Sequence, residues 1–103
     1  MIARIWRGWA LRPTADDYQE HYEREVAGHL RAVSGFRGAR LLRQEEDQEI
    51  MFTSITFFSG LDAVRGFAGE DYERAIVEEA AQRVLIRWDE RVTHHEVAID
   101  LGQ

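Results

Sequence analysis

Residues 36–58 constrain the fold more than any other stretch. Two strand-like runs, Phe36 to Glu46 and Glu49 to Phe58, are separated only by Asp47-Gln48. The second run is rich in β-branched and aromatic residues, which suit a pleated, half-buried surface. So short a gap reads as a tight turn, and the pair predicts an antiparallel hairpin.

The rest of the chain is arranged around that hairpin. Residues 2–12 alternate, with Ile2, Arg4, Trp6, Gly8 and Ala10 on one side and Ala3, Ile5, Arg7, Trp9 and Leu11 on the other. Both sets carry large apolar groups, so this strand is expected to be covered on both faces. Pro13-Thr14 ends it, and Thr14 with Asp17 resembles a capping box. A helix is predicted from about Ala15 to Ala32, with Tyr18, Tyr22, Val26, Leu30 and Val33 as its apolar stripe and Ser34-Gly35 as its break. After the hairpin, Ser59 with Asp62 is a second candidate cap. It opens a short helix carrying Leu61, Val64, Phe67 and Ala68, with Gly69 at its end. A further helical piece is predicted from Asp71 to Arg87 and a last strand from Glu90 to Asp100. Leu101-Gly102-Gln103 is expected to fray.

The predicted order is β-α-β-β-α-β, an α+β, ferredoxin-like arrangement in one domain spanning residues 1–103. Two helices cover only one face of a four-stranded sheet. The other face is also apolar, and a second copy of the same sheet is its simplest cover, which predicts a homodimer.

Composition removes several classes of function. With no cysteine the chain has no disulfide, thiolate metal site, iron–sulfur cluster or cysteine nucleophile. A net charge of −6 disfavours nucleic acid and anionic membrane as partners. No apolar run reaches the roughly 18–20 residues of a membrane span. Arginines interrupt the N-terminal segment, which has no signal-peptide core, so the cytoplasm is the expected location. Every basic residue is arginine, a choice that suits flat carboxylates and phosphates and also a GC-rich genome.

Four stretches bear a family likeness: the opening strand before Pro13-Thr14, the turn Ser34-Gly35-Phe36-Arg37-Gly38, the segment Thr56-Phe57-Phe58-Ser59, and Gly69-Glu70-Asp71-Tyr72-Glu73. With them the chain resembles the antibiotic biosynthesis monooxygenase family of dimeric α+β barrels over nearly its whole length. The resemblance implies a sheet-to-sheet dimer with a pocket between sheet and helices in each subunit. It also implies a cofactor-independent monooxygenase acting on an aromatic, polyketide-like phenol or anthrone whose carbanion itself reduces dioxygen. A cyclase or isomerase using the same pocket, and a non-catalytic binding or accessory dimer, are the alternatives. Haem-degrading members carry an iron-ligating histidine on helix two, an asparagine on strand one and a tryptophan on helix two. Here Tyr72 to Glu79 holds no histidine, strand one holds no asparagine, and the aromatic position falls on Phe67, so no haem is expected.

Such chemistry needs aromatic walls, a proton acceptor and a donor to the developing oxyanion. His94 and His95 are adjacent on the last strand and so point to opposite faces. Either suits a general base, and either also suits a hydrogen-bonded structural histidine. Tyr72 is a candidate oxyanion donor. Trp6, Trp9 and Phe67 are candidate stacking surfaces, and Arg4 and Arg7 candidate partners for a substrate oxygen. A covered arginine needs some partner, an internal carboxylate or a ligand. His21, Glu25 and His29 have a spacing seen in metal sites, but it drifts around the helix and no further ligand is evident, so no metal is expected.

Overall fold

In the computed structural model, which describes residues 1–102, the chain forms one antiparallel sheet with helices packed on one face. Strand β1 (Ile2–Leu11) runs into helix α1 (Arg12–His21). A wide π-helical turn (Tyr22–Val26) and α2 (Ala27–Arg31) continue α1 without a break. Next come β2 (Phe36–Glu46), β3 (Glu49–Phe58) and α3 (Leu61–Ala68). The one-turn helix α4 (Glu79–Gln82) and the short strands β4 (Arg87–Trp88) and β5 (Thr93–Glu96) complete the chain. The sheet order is β2-β3-β1-β4, with β5 also paired to β1. The predicted hairpin is present: Glu46 pairs with Glu49, and Asp47 takes the left-handed conformation (φ 56°) that a tight hairpin turn demands.

Period-two burial is clearest in β3. Ile50, Phe52, Ser54, Thr56 and Phe58 are buried under the helices, and the residues between them are half-exposed on the other face. The helix stripe also forms as predicted. Two apolar clusters result. One joins Ala10, Ala15, Tyr18, Ile50, Phe52, Ala81 and Leu85, and the other joins Leu30, Phe58, Ala63 and Val64. Gly35 locks the second cluster. At φ 91° it brings its carbonyl to the Ser59 N–H (2.7 Å), and a Cβ there would lie 2.7 Å from the Ala63 Cβ.

Four local expectations fail. The first helix starts at Arg12, so Thr14 lies inside it and caps nothing; its hydroxyl donates instead to the Val84 carbonyl (3.0 Å). Gly60, not Ser59, precedes α3, and no side chain caps that helix. The predicted helix from Asp71 to Arg87 shrinks to Glu79–Gln82. Its first part is a turn (Arg74 N–H to Asp71 O, 3.1 Å) followed by irregular chain that pairs with residues 90–92: Ala75 N–H donates to Glu90 O (2.8 Å) and Val92 N–H to Glu73 O (2.7 Å). The predicted last strand, Glu90 to Asp100, shortens to β5 (Thr93–Glu96), and a further short strand, β4 (Arg87–Trp88), precedes it. Between them four residues (89–92) stand opposite only Trp6 and Arg7 of β1 and bulge out to meet residues 73–75. Leu101 and Gly102 carry no regular structure, and Gln103 lies outside the described residues.

Candidate functional site

Between the two apolar clusters the buried face of the sheet turns polar. Arg4 pairs in register with Thr56, and Trp6 with Ser54. Arg4, Ser54 and Thr56 are all buried. They floor a cavity of about 70 Å³. Trp6, Tyr18, Tyr22 and Phe67 supply aromatic walls, Val26 and Leu30 line the helix side, and Ile76, Val77 and Glu78 close it from the irregular strap.

Local backbone features set this shape. Gly8 leaves room for the Trp6 indole, which leans over it along the strand; a Cβ at residue 8 would lie 2.5 Å from the ring. The indole is fixed by donating to Asp89 O (2.8 Å). A stripe of every fourth residue drifts by about 40° per step on an α-helix. The π-helical turn, with Ala27 N–H bonded to Tyr22 O, takes up that drift, and Tyr18, Tyr22, Val26 and Leu30 all reach the cavity.

Arg4 is the dominant charge. Nη1 donates to the Tyr72 carbonyl and lies 3.1 Å from His94 Nε2, and Nη2 donates to Arg74 O (3.4 Å). The guanidinium also stacks 5.6 Å from the centre of Phe67. Among the described residues no carboxylate forms an ion pair with it. Burial lowers its pKa to about 10, which leaves it charged at neutral pH. A guanidinium can only donate, so His94 Nε2 accepts and the proton sits on Nδ1, which is buried with no partner. Desolvation first, and the Arg4 charge second, hold the His94 pKa below the ordinary histidine value. Burial and neighbouring Tyr22 push the Tyr18 phenol well up, which makes it a neutral wall.

Of the residues singled out from sequence, Arg4, Trp6 and Phe67 line the cavity. His94 and Tyr72 stand behind Arg4, their rings edge to face at 5.2 Å, and neither lines it. Trp9, Arg7 and His95 belong to the opposite face: Arg7 pairs with Asp89 (3.0 Å), Trp9 lies between Arg7 and Arg87, and His95 bonds Thr93 (2.9 Å). The histidines of the helix separate too. His21 turns inward to the cavity, Glu25 is exposed, and His29 meets Glu78 at 3.7 Å.

Sequence reasoning missed His21 and Tyr22 as cavity groups. His21 Nε2 and Tyr22 Oη are buried and have no hydrogen-bond partner. A signal did exist in β3, where Ser54 and Thr56 interrupt an otherwise apolar buried face.

No family model matches the chain, and no curated protein sequence does. Solved structures do. SnoaB, a cofactor-independent oxygenase from Streptomyces nogalater, superposes with a TM-score of 0.67 at 13% identity, covering 99% of this chain and 98% of its own. MhuD, a haem-degrader from Mycobacterium tuberculosis solved with two haems in its active site, gives 0.62 at 19%, covering 99% and 100%. Rv0793 from the same organism gives 0.61 at 16%, covering 98% of each chain. The resemblance read from the sequence thus holds at the level of fold: this chain has the α+β, ferredoxin-like fold shared by these oxygenase and haem-degrader structures over its full length.

Proposed function

We propose that the chain is a cytoplasmic, homodimeric enzyme of the antibiotic biosynthesis monooxygenase kind, a cofactor-independent oxygenase for an aromatic phenol or anthrone. The observation that carries this reading is the aromatic-walled cavity with a buried, carboxylate-free arginine on its floor. Arg4 holds the substrate oxygen, where charge develops when a base removes the ring proton. His21 is the base, because its free Nε2 lines the cavity, whereas His94 Nε2 is engaged by Arg4. The carbanion passes its electron pair to dioxygen. The resulting peroxide loses water and leaves a carbonyl, so one oxygen atom enters the product and the other leaves as water. Trp6 and Phe67 flank the reacting ring, and an outer groove of about 350 Å³ takes the remainder of the substrate, meeting the cavity at Val26, Phe67, Ile76 and Glu78.

The haem chemistry of the MhuD type finds no support in the residues. The strap from Tyr72 to Glu78 holds no histidine and is not helical, and the enclosed cavity measures about 70 Å³. That small volume, below the ~300 Å³ of common ligand sites, favours a second reading, a non-catalytic binding or accessory dimer, with a cyclase or isomerase as a catalytic variant. Dioxygen uptake with a model anthrone separates them. The parent protein should consume dioxygen, and His21→Ala should slow it by roughly 10²–10⁴-fold. His95→Ala, on the far face, should not. No uptake by the parent protein, or equal rates in all three, would remove the oxygenase reading.

A further inference from the structure

The polar groups of the cavity are unbalanced in one direction. Arg4 is 6% exposed, and three of its five N–H donors are taken, all by neutral acceptors, which leaves two. On the same cavity, Tyr22 Oη and His21 Nε2 are buried without partners. The one carboxylate on the lining, Glu78, is exposed at the mouth and pairs outward with His29. A buried cation is costly unless something anionic answers it, and nothing in the described chain does so here. The guanidinium's remaining donors form a planar fork, which matches a carboxylate better than a single oxygen. The walls of Trp6 and Phe67 suit a flat group behind that carboxylate.

We infer that the cavity is a subsite for a flat organic carboxylate: the carboxylate pairs with Arg4, Tyr22 Oη donates to it, and its ring lies between Trp6 and Phe67. This rests on the reading of the cavity as the ligand site and refines it: the ligand group on Arg4 is a carboxylate in place of the phenol oxygen, so Arg4 anchors the ligand by a charge it already carries. Charge selection then comes from one residue. Neutral rings of the same shape enter but leave Arg4 unanswered.

The test is binding without turnover. Titrate the intact protein, under argon, with benzoate, benzamide and 4-nitrophenolate, following Trp fluorescence and the benzoate ring signals by NMR. Benzoate should bind at least tenfold more tightly than benzamide, and more tightly than the phenolate. Arg4→Gln should erase that preference, Tyr22→Phe should weaken benzoate alone, and Arg12→Gln, at a side chain that pairs with Glu45 and does not line the cavity, should change nothing. If Arg4→Gln fails to fold by circular dichroism, Arg4→Lys decides: it keeps the charge and loses the fork, so benzoate should weaken while still exceeding benzamide. Equal binding of benzoate and benzamide to the parent protein would overturn the inference. So would unchanged benzoate affinity in Arg4→Gln or Arg4→Lys, or a preference for the phenolate. Benzoate binding without dioxygen uptake would leave this subsite standing and remove only the oxygenase reading.

Discussion

Strand β1 carries the same pair of side chains twice, Arg4 with Trp6 on the helix side and Arg7 with Trp9 on the open side. Their surroundings differ in every respect. Arg4 is buried and has no carboxylate; Arg7 is exposed and has Asp89 at 3.0 Å. Trp6 donates to a backbone carbonyl and walls a cavity, whereas Trp9 lies between two arginines and donates to Glu46 (3.2 Å). The open face is a solvated mixture of charge and apolar surface: Ile5, Met51, Ile55 and Phe57 are half-exposed and Leu42 is 48% exposed. One strand therefore presents a walled cavity on one side and a half-exposed, partly apolar face on the other. Burial, not residue type, separates the two.

The largest expected effect tests that division directly. Phe52 is completely buried on the helix side, against Tyr18 at 4.9 Å. Phe52→Ala should cost about 3–5 kcal/mol of folding stability in urea denaturation. Phe57 occupies the other parity of the same strand. If the open face seats a second copy, Phe57→Asp should leave the monomer folded and raise the dimer dissociation constant by ~30-fold or more in sedimentation experiments, the scale of a lost hot spot. A parent protein that sediments as the 12.0 kDa monomer at micromolar concentration would remove the dimer altogether.

The next effect is a pH dependence centred on Arg4. The folded state holds His94 neutral, chiefly by desolvation and secondly because Arg4 faces it, with Glu73 opposing and His95 adding slightly. Below the ordinary value of 6.5 the unfolded chain takes up a proton that the folded chain resists. The stability contributed by this neutral histidine is therefore fully present above that pH and is lost as pH falls through the lower folded value. His94→Gln keeps an acceptor for Arg4 and cannot titrate. Its unfolding free energy should fall less steeply than the parent's on acidification below about pH 6.5. Identical slopes would mean that His94 does not report on Arg4.

Where the sequence was readable, local pattern and tertiary demand agreed. The hairpin and the stripe from Tyr18 to Leu30 are set by turn length and period. The expected cover on both faces of β1, by contrast, is present on the helix side only, with Ile5 and Trp9 half-exposed and Arg7 and Leu11 exposed on the other. The segment 71–87 was misread because Tyr72, Ile76, Ala80 and Val84 repeat every four residues, yet residues 73–75 find backbone partners in 90–92. Those long-range hydrogen bonds compete with helix propensity and prevail; Ile76 consequently remains 51% exposed. The candidate site was half legible. Arg4, Trp6 and Phe67 are among the sequence's candidates, but parity leaves Arg4 and Trp6 level with Arg7 and Trp9, because it does not say which face of β1 the helices cover. Tyr18, His21 and Tyr22 stand at i, i+3 and i+4, so ordinary helix spacing puts His21 on the cavity face; its metal-like spacing with Glu25 and His29 drew attention away from that face. The sequence places His94 and His95 on opposite faces without saying which is which; that His94 meets Arg4, and what else it meets, depends on the bulge at 89–92.

The smallest effect belongs to the other arginine of the comparison. Arg7 and Asp89 form a well-aligned ion pair, but their side chains are 52% and 32% exposed. Water already solvates both charges, so the pair returns little beyond what hydration supplied, and salt screens the remainder. Arg7→Gln should change monomer stability by about 0–1 kcal/mol, with any loss shrinking at high salt. Asp89 still holds the local geometry through its backbone, since its N–H bonds Arg7 O (2.9 Å) and its carbonyl receives the Trp6 indole. Neither bond involves the Arg7 side chain. Benzoate binding in the cavity should therefore survive Arg7→Gln, although the two arginines lie three residues apart on one strand. A loss of binding in Arg7→Gln comparable to that in Arg4→Gln would show that the two faces of β1 are coupled and would undo the division between the cavity side and the open side.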